Sequence, residues 1–239
     1  MAEEHSIKVI ARIQSDFQTK FGIPRQSGLV PELRARIVFE PEFRIQEAVR
    51  GLEGFSYIWL IWQFSQSVRE GWSPTVRPPR LGGNQRRGVF ATRSPFRPNA
   101  LGLSSVRLEK VELDHELGPV LYVAGADLLD GTPIYDIKPY APYSDSHPEA
   151  LGGFTDQVER RRLAVECPPV LLEHLPEEKR EALLGVLAED PRPAYQADPE
   201  RVYGMAFAGC EVKFAVDGDT LTVRDIIPQE DSGGCNYLT

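Results

Sequence analysis

The stretch Leu101-Gly102-Leu103-Ser104-Ser105-Val106-Arg107-Leu108-Glu109-Lys110-Val111-Glu112-Leu113 decides the fold. Leu101, Leu103 and Ser105 alternate against Val106, Leu108 and Val111, with a slip in phase. A period of two marks a strand, and a slip in that period marks a bulge or bend. Residues 120–126 read as a neighbouring strand, and residues 57–64, aromatic and β-branched, as a buried one. Residues 34–39 alternate, residues 5–13 supply Ile7, Val9, Ile10 and Ile13 for an opening strand, and residues 88–92 read as another. Residues 45–52 read as a short helix with Ala48, Val49 and Leu52 on one face. Turn chemistry at Arg97-Pro98-Asn99 and Gly118-Pro119 separates the strands. Regularly spaced strands with few helices predict a mainly β fold whose N-terminal domain is a closed or nearly closed β-barrel.

The character changes at residues 142–153, which hold two prolines and the Gly152-Gly153 pair. The expected domains are therefore 1–148, the barrel, and 149–239, a smaller α+β C-terminal domain. Residues 168–175 and 176–189 read as helices, with Leu183, Leu184 and Leu187 on an apolar face. Residues 201–208, 210–216 and 220–227 read as a small antiparallel sheet, with Asp217-Gly218 as a hairpin turn.

The 239 residues are 41% hydrophobic and 26% charged, which suits a globular protein able to bury a core without disulfides or a structural metal. Collagen-like, disordered and coiled-coil classes are excluded. The longest apolar run, Tyr57-Ile58-Trp59-Leu60-Ile61-Trp62, is far short of the roughly 20 residues that span a bilayer, so no membrane partner is expected. The acidic opening Met1-Ala2-Glu3-Glu4-His5 lacks a secretory pattern, so a cytoplasmic location is the expectation. Cys167, Cys210 and Cys235 lack metal-type spacing and His5, His115, His147 and His174 are scattered, so no metal site is expected. Net charge is −8, and residues 151–239 carry all of it, because residues 1–150 hold 18 basic and 18 acidic side chains. That imbalance argues against general coating of nucleic acid and leaves room for a local basic site.

Such a site is legible after Phe64. Arg77, Arg80, Arg86, Arg87, Arg93 and Arg97 fall within 21 residues that contain no Asp or Glu. Guanidinium forks match phosphate and carboxylate oxygens, and Gly82, Gly83 and Gly88 let backbone N–H groups approach an anion. A solvated charged loop is the plain alternative; the missing acids favour an anionic ligand, with RNA phosphates the obvious case. Two other loops read either as turns or as site elements: Ile23-Pro24-Arg25-Gln26-Ser27-Gly28-Leu29, and Asp127-Leu128-Leu129-Asp130-Gly131-Thr132-Pro133 followed by Asp136-Ile137-Lys138-Pro139-Tyr140. Three carboxylates and a phenol near strand ends are expected to line one mouth of the barrel. The absence of GxGxxG, GxxxxGK[ST] and GxSxG patterns excludes the common nucleotide and hydrolase loops.

These same segments carry a family resemblance. Pro24-Arg25-Gln26, Gly51-Leu52-Glu53-Gly54-Phe55-Ser56, Arg77-Pro78-Pro79-Arg80-Leu81-Gly82-Gly83-Asn84, the run Gly88 to Asn99, Asp130-Gly131-Thr132-Pro133 with Asp136-Ile137-Lys138-Pro139-Tyr140, and Asp190-Pro191-Arg192-Pro193-Ala194-Tyr195 resemble the TsaA-like (TrmO) family of S-adenosylmethionine-dependent tRNA methyltransferases. The resemblance implies a non-Rossmann β-barrel used as a homodimer, with S-adenosylmethionine near the subunit interface. It implies methylation of N6 of threonylcarbamoyl-adenosine beside the anticodon, so that the tRNA anticodon stem-loop is the partner. By position, cofactor contacts would come from Pro24, Arg25, Gln26, Ser65, Gln66, Arg93, Leu103, Asp127, Leu128, Leu129 and Asp130. The family usually carries His where this chain has Ser65, which removes any ring-mediated contact there.

Methyl transfer needs a nucleophilic nitrogen aligned with the donor and an acceptor for its proton. Asp136 and Tyr140 are the candidate acceptors. Arg80, Arg86, Arg87 and Arg97 are the candidate RNA contacts, joined by Arg192 and Tyr195 for a phosphate and a stacked base. For residues 190–195 a proline-rigid packing turn is the alternative. Two other functions fit the same residues: a non-catalytic RNA- or nucleotide-binding barrel, and a methyltransferase of a small molecule or another nucleoside.

Overall fold

The computed structural model describes residues 3–68, 71–78, 85–157, 161–193 and 198–229. Six antiparallel strands close into a barrel in the order β1 (Ala11–Gln14), β2 (Arg34–Phe39), β7 (Gly118–Ala124), β6 (Leu101–Asp114), β3 (Tyr57–Gln63), β8 (Pro133–Pro139). Period-two burial follows each strand. Ile58, Leu60 and Trp62 of β3 point inward, as do Val106 and Leu108 of β6 and Ile37 of β2. The slip read in β6 is a bulge: Leu108 pairs with Val123 and Lys110 with Tyr122, so Glu109 is the extra residue. The inserted residue lets Leu108 and Val111 occupy inward positions three apart. The seam is short, since β1 and β8 share the pairs Ala11 with Ile134 and Arg12 with Pro133.

Several local expectations change. The opening strand shrinks to β1, because residues 3–10 carry no regular structure; their backbone is tied at Ile10, whose N–H donates to Ile134 O and whose carbonyl accepts from Glu40 N–H, both at 2.9 Å. Residues 45–52 form two 3₁₀ turns, Gln46–Val49 and Leu52–Gly54, interrupted where Gly51 takes a positive φ. Residues 88–92 are a 3₁₀ turn, Val89–Ala91, flanked by a two-stranded ribbon of β4 (Thr75–Val76) and β5 (Arg87–Gly88). Residues 133–139, read as part of a polar strand-end cluster, are β8 itself.

Beyond α1 (Pro142–Asp145), the second core is a four-stranded sheet in the order β10 (Tyr203–Phe207), β11 (Cys210–Asp217), β12 (Thr220–Pro228), β9 (Ala164–Glu166). β9 pairs parallel to β12 and was not visible as a strand in the sequence. The helices are α2 (Pro169–Leu172) and α3 (Glu177–Ala188), the latter burying Ala182, Leu183, Val186 and Leu187 against the sheet. Glu177 and Glu178 in its first turn oppose the helix dipole favourably. This core also takes in Phe17, Val30 and Leu33 from the segment between β1 and β2. The Phe17 ring meets Phe207 edge-on at 5.6 Å.

Candidate functional site

One end of the barrel is built from the last residues of β1, β3 and β7 and the first of β2, β6 and β8. A polar chain starts inside this end. The Trp62 indole N–H donates to Ser104 Oγ at 3.0 Å, and the Ser104 hydroxyl donates to Asp127 Oδ1 at 2.7 Å. Burial pushes the Asp127 carboxyl above the ordinary 3.8, with Ser104, Arg93 and the Ser27 backbone opposing that rise. Outward from Asp127, the Arg93 guanidinium donates to Gln26 Oε1. Gln26, Arg93 and Asp127 are three of the residues expected to hold a cofactor; Arg93 bonds Gln26 and its charge acts on Asp127 through space.

The backbone is brought equally close. Gly28 N–H donates to Gly125 O at 2.8 Å, and Gly125 N–H to Leu33 O at 2.8 Å. Gly125 has φ 74°, and a Cβ there would lie 3.2 Å from Gly28 Cα. The loop holding Pro24, Arg25 and Gln26 is thus pressed against the end of β7, with Pro24 buried and Arg25 exposed. Ser65 and Gln66 lie in the 3₁₀ turn that follows β3, at the same end. Lys20 fixes that turn by donating to the Gln66 carbonyl and, at 3.0 Å, to Ser67 Oγ.

The Asp127–Asp130 segment has a second support. Ser15 N–H donates to Asp130 Oδ1 at 2.9 Å and Ser15 Oγ to Leu128 O at 2.9 Å, while Asp130 N–H donates to Phe17 O at 2.9 Å. Leu128 packs in the barrel core and Leu129 against the second core. What these two leucines offer a ligand is therefore main chain. Sequence reasoning missed Ser15, Lys20, Trp62 and Ser104. Ser104 left one trace, as a hydroxyl on an inward-facing strand position, where burial demands a partner.

Asp136 and Tyr140 do not share a mouth with Asp127 and Asp130. β8 runs away from that end, and seven residues at about 3.3 Å each put Tyr140 some 20 Å beyond Asp130. Tyr140 lies against Trp59 and Tyr57, with ring centroids 5.6 and 6.2 Å away. Asp136 sits on the barrel's outer surface, where Leu103 pairs with Ile61 and Ile61 with Asp136 across three adjacent strands. Two interstrand steps separate Leu103 from Asp136, about 10 Å between backbones. The Asp136 carboxylate accepts from Lys138 Nζ at 2.8 Å and from Ile137 N–H at 2.9 Å.

Among the candidate RNA contacts, Arg86 donates to Thr75 Oγ1 at 3.3 Å, Arg87 to Gln85 Oε1 at 3.0 Å and Arg97 to Thr92 O at 3.2 Å. No carboxylate among the described residues forms a salt bridge with Arg77, Arg86, Arg87 or Arg97. Arg192 differs, because its fork closes on Asp190 at 2.8 and 2.9 Å in a half-buried turn. Arg80 and Tyr195 lie outside the described residues. No group of three or more His, Cys, Asp or Glu side chains among the described residues could hold a metal ion. No helix among them is long and apolar enough to cross a membrane.

One end of a closed antiparallel barrel thus gathers a half-buried carboxylate, a loop pressed against a glycine and an arginine segment without acids. The family descriptions make it specific: residues 12–146 match the tRNA-methyltransferase O N-terminal domain, and residues 160–229 match the TrmO C-terminal domain. The chain belongs to the TrmO family. The tRNA (adenine(37)-N6)-methyltransferase of Escherichia coli (strain K12) is 44% identical over 197 residues, covering 80% of this chain and 83% of that protein. The enzyme of the same name from Eikenella corrodens is 45% identical over 186 residues, covering 74% and 99%. A crystal structure of TrmO from Pseudomonas aeruginosa superposes with a TM-score of 0.77 at 36% identity, covering 95% of this chain and 99% of that one.

Proposed function

We propose that this protein transfers a methyl group from S-adenosylmethionine to N6 of adenosine 37 of tRNA. The observation that carries the proposal is the network Trp62–Ser104–Asp127 with Arg93–Gln26 beside it, on a chain belonging to a family of tRNA methyltransferases. The residues fit the cofactor. Asp127 offers a cationic ligand a half-buried carboxylate, where attraction is stronger than in bulk water. The contact of Gly28 with Gly125 leaves main chain, and no side chain, along that edge of the site. When bound, S-adenosylmethionine supplies a methyl group on a positively charged sulfonium.

The chain's own residues do the rest by positioning. Arg93 holds the Gln26 amide in a fixed orientation, Ser104 holds Asp127, and Ser15 holds Asp130. Asp136 is the proposed acceptor of the N6 proton. It shares the outer β6–β3–β8 surface with Leu103, one of the cofactor contacts, whereas Tyr140 lies farther along β8. Single-turnover rates separate the two: Asp136→Asn slows transfer by about 10²–10⁴-fold while Tyr140→Phe changes it little. Equal rates for Asp136→Asn and the parent would remove Asp136 from the role.

The finer features belong to the same proposal. The base is threonylcarbamoyl-adenosine, the RNA contact is the anticodon stem-loop, and the enzyme works in the cytoplasm, where its substrate is. It works as a homodimer. Supporting that state, Leu103 at 54% and Tyr57 at 45% exposure leave apolar surface open beside the donor contacts. Nucleoside mass spectrometry of tRNA from cells lacking the protein tests the reaction, expecting loss of one methyl group from that base. Unaltered tRNA would overturn it. Ser65 stands where the resemblance leads one to expect histidine, so donor affinity is the quantity to measure. Calorimetric titration with S-adenosylmethionine measures it, and heat of binding is the expected result.

A further inference from the structure

Two large aromatic side chains stand in solvent on the arginine segment. Trp72 is 52% exposed and Phe90 is 72% exposed. They lie against one another across the β4–β5 ribbon, with ring centroids 6.0 Å apart and planes inclined by 33°. The ribbon has ties of its own besides this pair. Val89, the neighbour of Phe90, is 1% exposed and anchors the turn, and the backbone is tied by Val89 N–H to Pro74 O at 2.9 Å. Leaving both rings in water forfeits the stabilisation that burial of their apolar surface would give. A solvent-facing aromatic pair of this kind marks a surface that meets something.

What it meets follows from its surroundings. Residues 71–108 contain no Asp or Glu at all. Arg86 and Arg87 rise from the same ribbon and Arg77 leaves it, none in a salt bridge with a carboxylate among the described residues. Cationic forks beside free ring faces suit a strand of nucleotides, whose phosphates take the forks and whose unpaired bases stack on the rings. A protein partner would need acids and a lipid surface would need a broader apolar face.

We propose that Trp72 and Phe90 form a stacking platform for an unpaired base of the tRNA substrate, with Arg77, Arg86 and Arg87 holding the phosphates on either side. This rests on the tRNA reading above and adds to it the residues that tell a loop from a helix. Bases inside a duplex are stacked on each other and unavailable to the platform, so the platform selects the single-stranded part of a hairpin.

The test is fluorescence anisotropy with two labelled RNAs, a hairpin bearing an unpaired loop and a fully paired duplex of equal length. Trp72→Ala and Phe90→Ala each weaken hairpin binding by about tenfold, leave duplex binding unchanged and leave the salt slope of the hairpin unchanged. Arg86→Ala weakens both RNAs and lowers the salt slope by roughly one. Both aromatic variants keep the parent's melting temperature, because both side chains are exposed. Hairpin affinities of Trp72→Ala and Phe90→Ala equal to the parent's would overturn the platform while leaving the tRNA reading intact. Equal losses on hairpin and duplex, or a change in sedimentation without a change in RNA affinity, would also overturn it, the latter in favour of a second copy of the chain. If the parent chain binds neither RNA, the tRNA reading falls and the platform with it.

Discussion

The Lys179 ammonium of α3 donates to Asp16 Oδ2 at 2.8 Å, with both side chains largely withdrawn from solvent. This pair joins the second core to the segment that supports Asp127–Asp130. Asp16 is followed by Phe17, whose carbonyl accepts from Asp130 N–H, and Asp16 O accepts from Ala208 N–H at 3.0 Å. Burial outweighs Lys179 and lifts the Asp16 carboxyl above 3.8.

Lys179→Met leaves Asp16 buried without its partner and is expected to cost about 3 kcal/mol at neutral pH. Urea denaturation reads this as a lower midpoint at unchanged slope. Because the folded-state value of Asp16 lies above the unfolded one, its contribution is fully present below 3.8 and is lost as pH rises through the raised value. The deficit of Lys179→Met should therefore narrow as the solution is acidified. A deficit that stays constant with pH would dissociate Asp16 from the effect.

Donor affinity should fall on acidification sooner than for an ordinary carboxylate. Asp127 titrates above 3.8, and its protonated form cannot hold a cation. Isothermal titration with S-adenosylmethionine across the acid range is expected to show the decline in the parent and a flat, weaker profile in Asp127→Asn. Parallel profiles would place the titrating group elsewhere.

Ser104→Ala removes the acceptor of the Trp62 indole and the donor to Asp127 together. The expected cost is about 1–3 kcal/mol in stability, with a further weakening of donor binding. Gly102→Ala reaches the same region sterically, since its Cβ would stand 2.3 Å from Trp62 Cε2. Overpacking of this sort costs about 1–3 kcal/mol, readable as a drop in melting temperature.

Gly125→Ala combines a left-handed backbone with contact on Gly28. Displacement of the Pro24–Gln26 loop is expected to weaken S-adenosylmethionine binding while hairpin RNA affinity stays within about twofold of the parent, because Arg86, Arg87 and Arg97 bond to Thr75, Gln85 and Thr92 and not to that loop. Equal losses of both would show that the loop serves RNA as well.

Much of this was legible in the residues. The alternation of Arg34–Phe39 and the slip in β6 gave strands and bulge almost where they stand, because period-two burial is imposed by the barrel wall itself. β8 was hidden, since Pro133, Asp136, Lys138 and Pro139 look like loop chemistry; on this strand the polar pair faces out, and the prolines sit at its two ends. β9 is three residues long and owes its form to β12, a long-range cause that a local pattern cannot carry. At the candidate site, Gln26, Arg93 and Asp127 were picked out by their place in motifs, and the fold sets Arg93 against Gln26. Ser104 and Lys179 were not found, because a hydroxyl in a wall and a lysine on a helix acquire meaning through what they touch across the fold. Asp136 and Tyr140 were close in sequence and seemed a cluster, yet an extended strand carries neighbours apart.

The apolar side chains of Phe17, Val30 and Leu33 lodge among those of α3 and the β10–β12 sheet. Severing the polypeptide after α1 would strip these three of their cover and leave a greasy scar on the flank of the loop that carries Pro24. The two halves of this enzyme are therefore poor candidates for separate expression. A swap of the trailing half between relatives would have to carry its matching residues from positions 15–33 along with it.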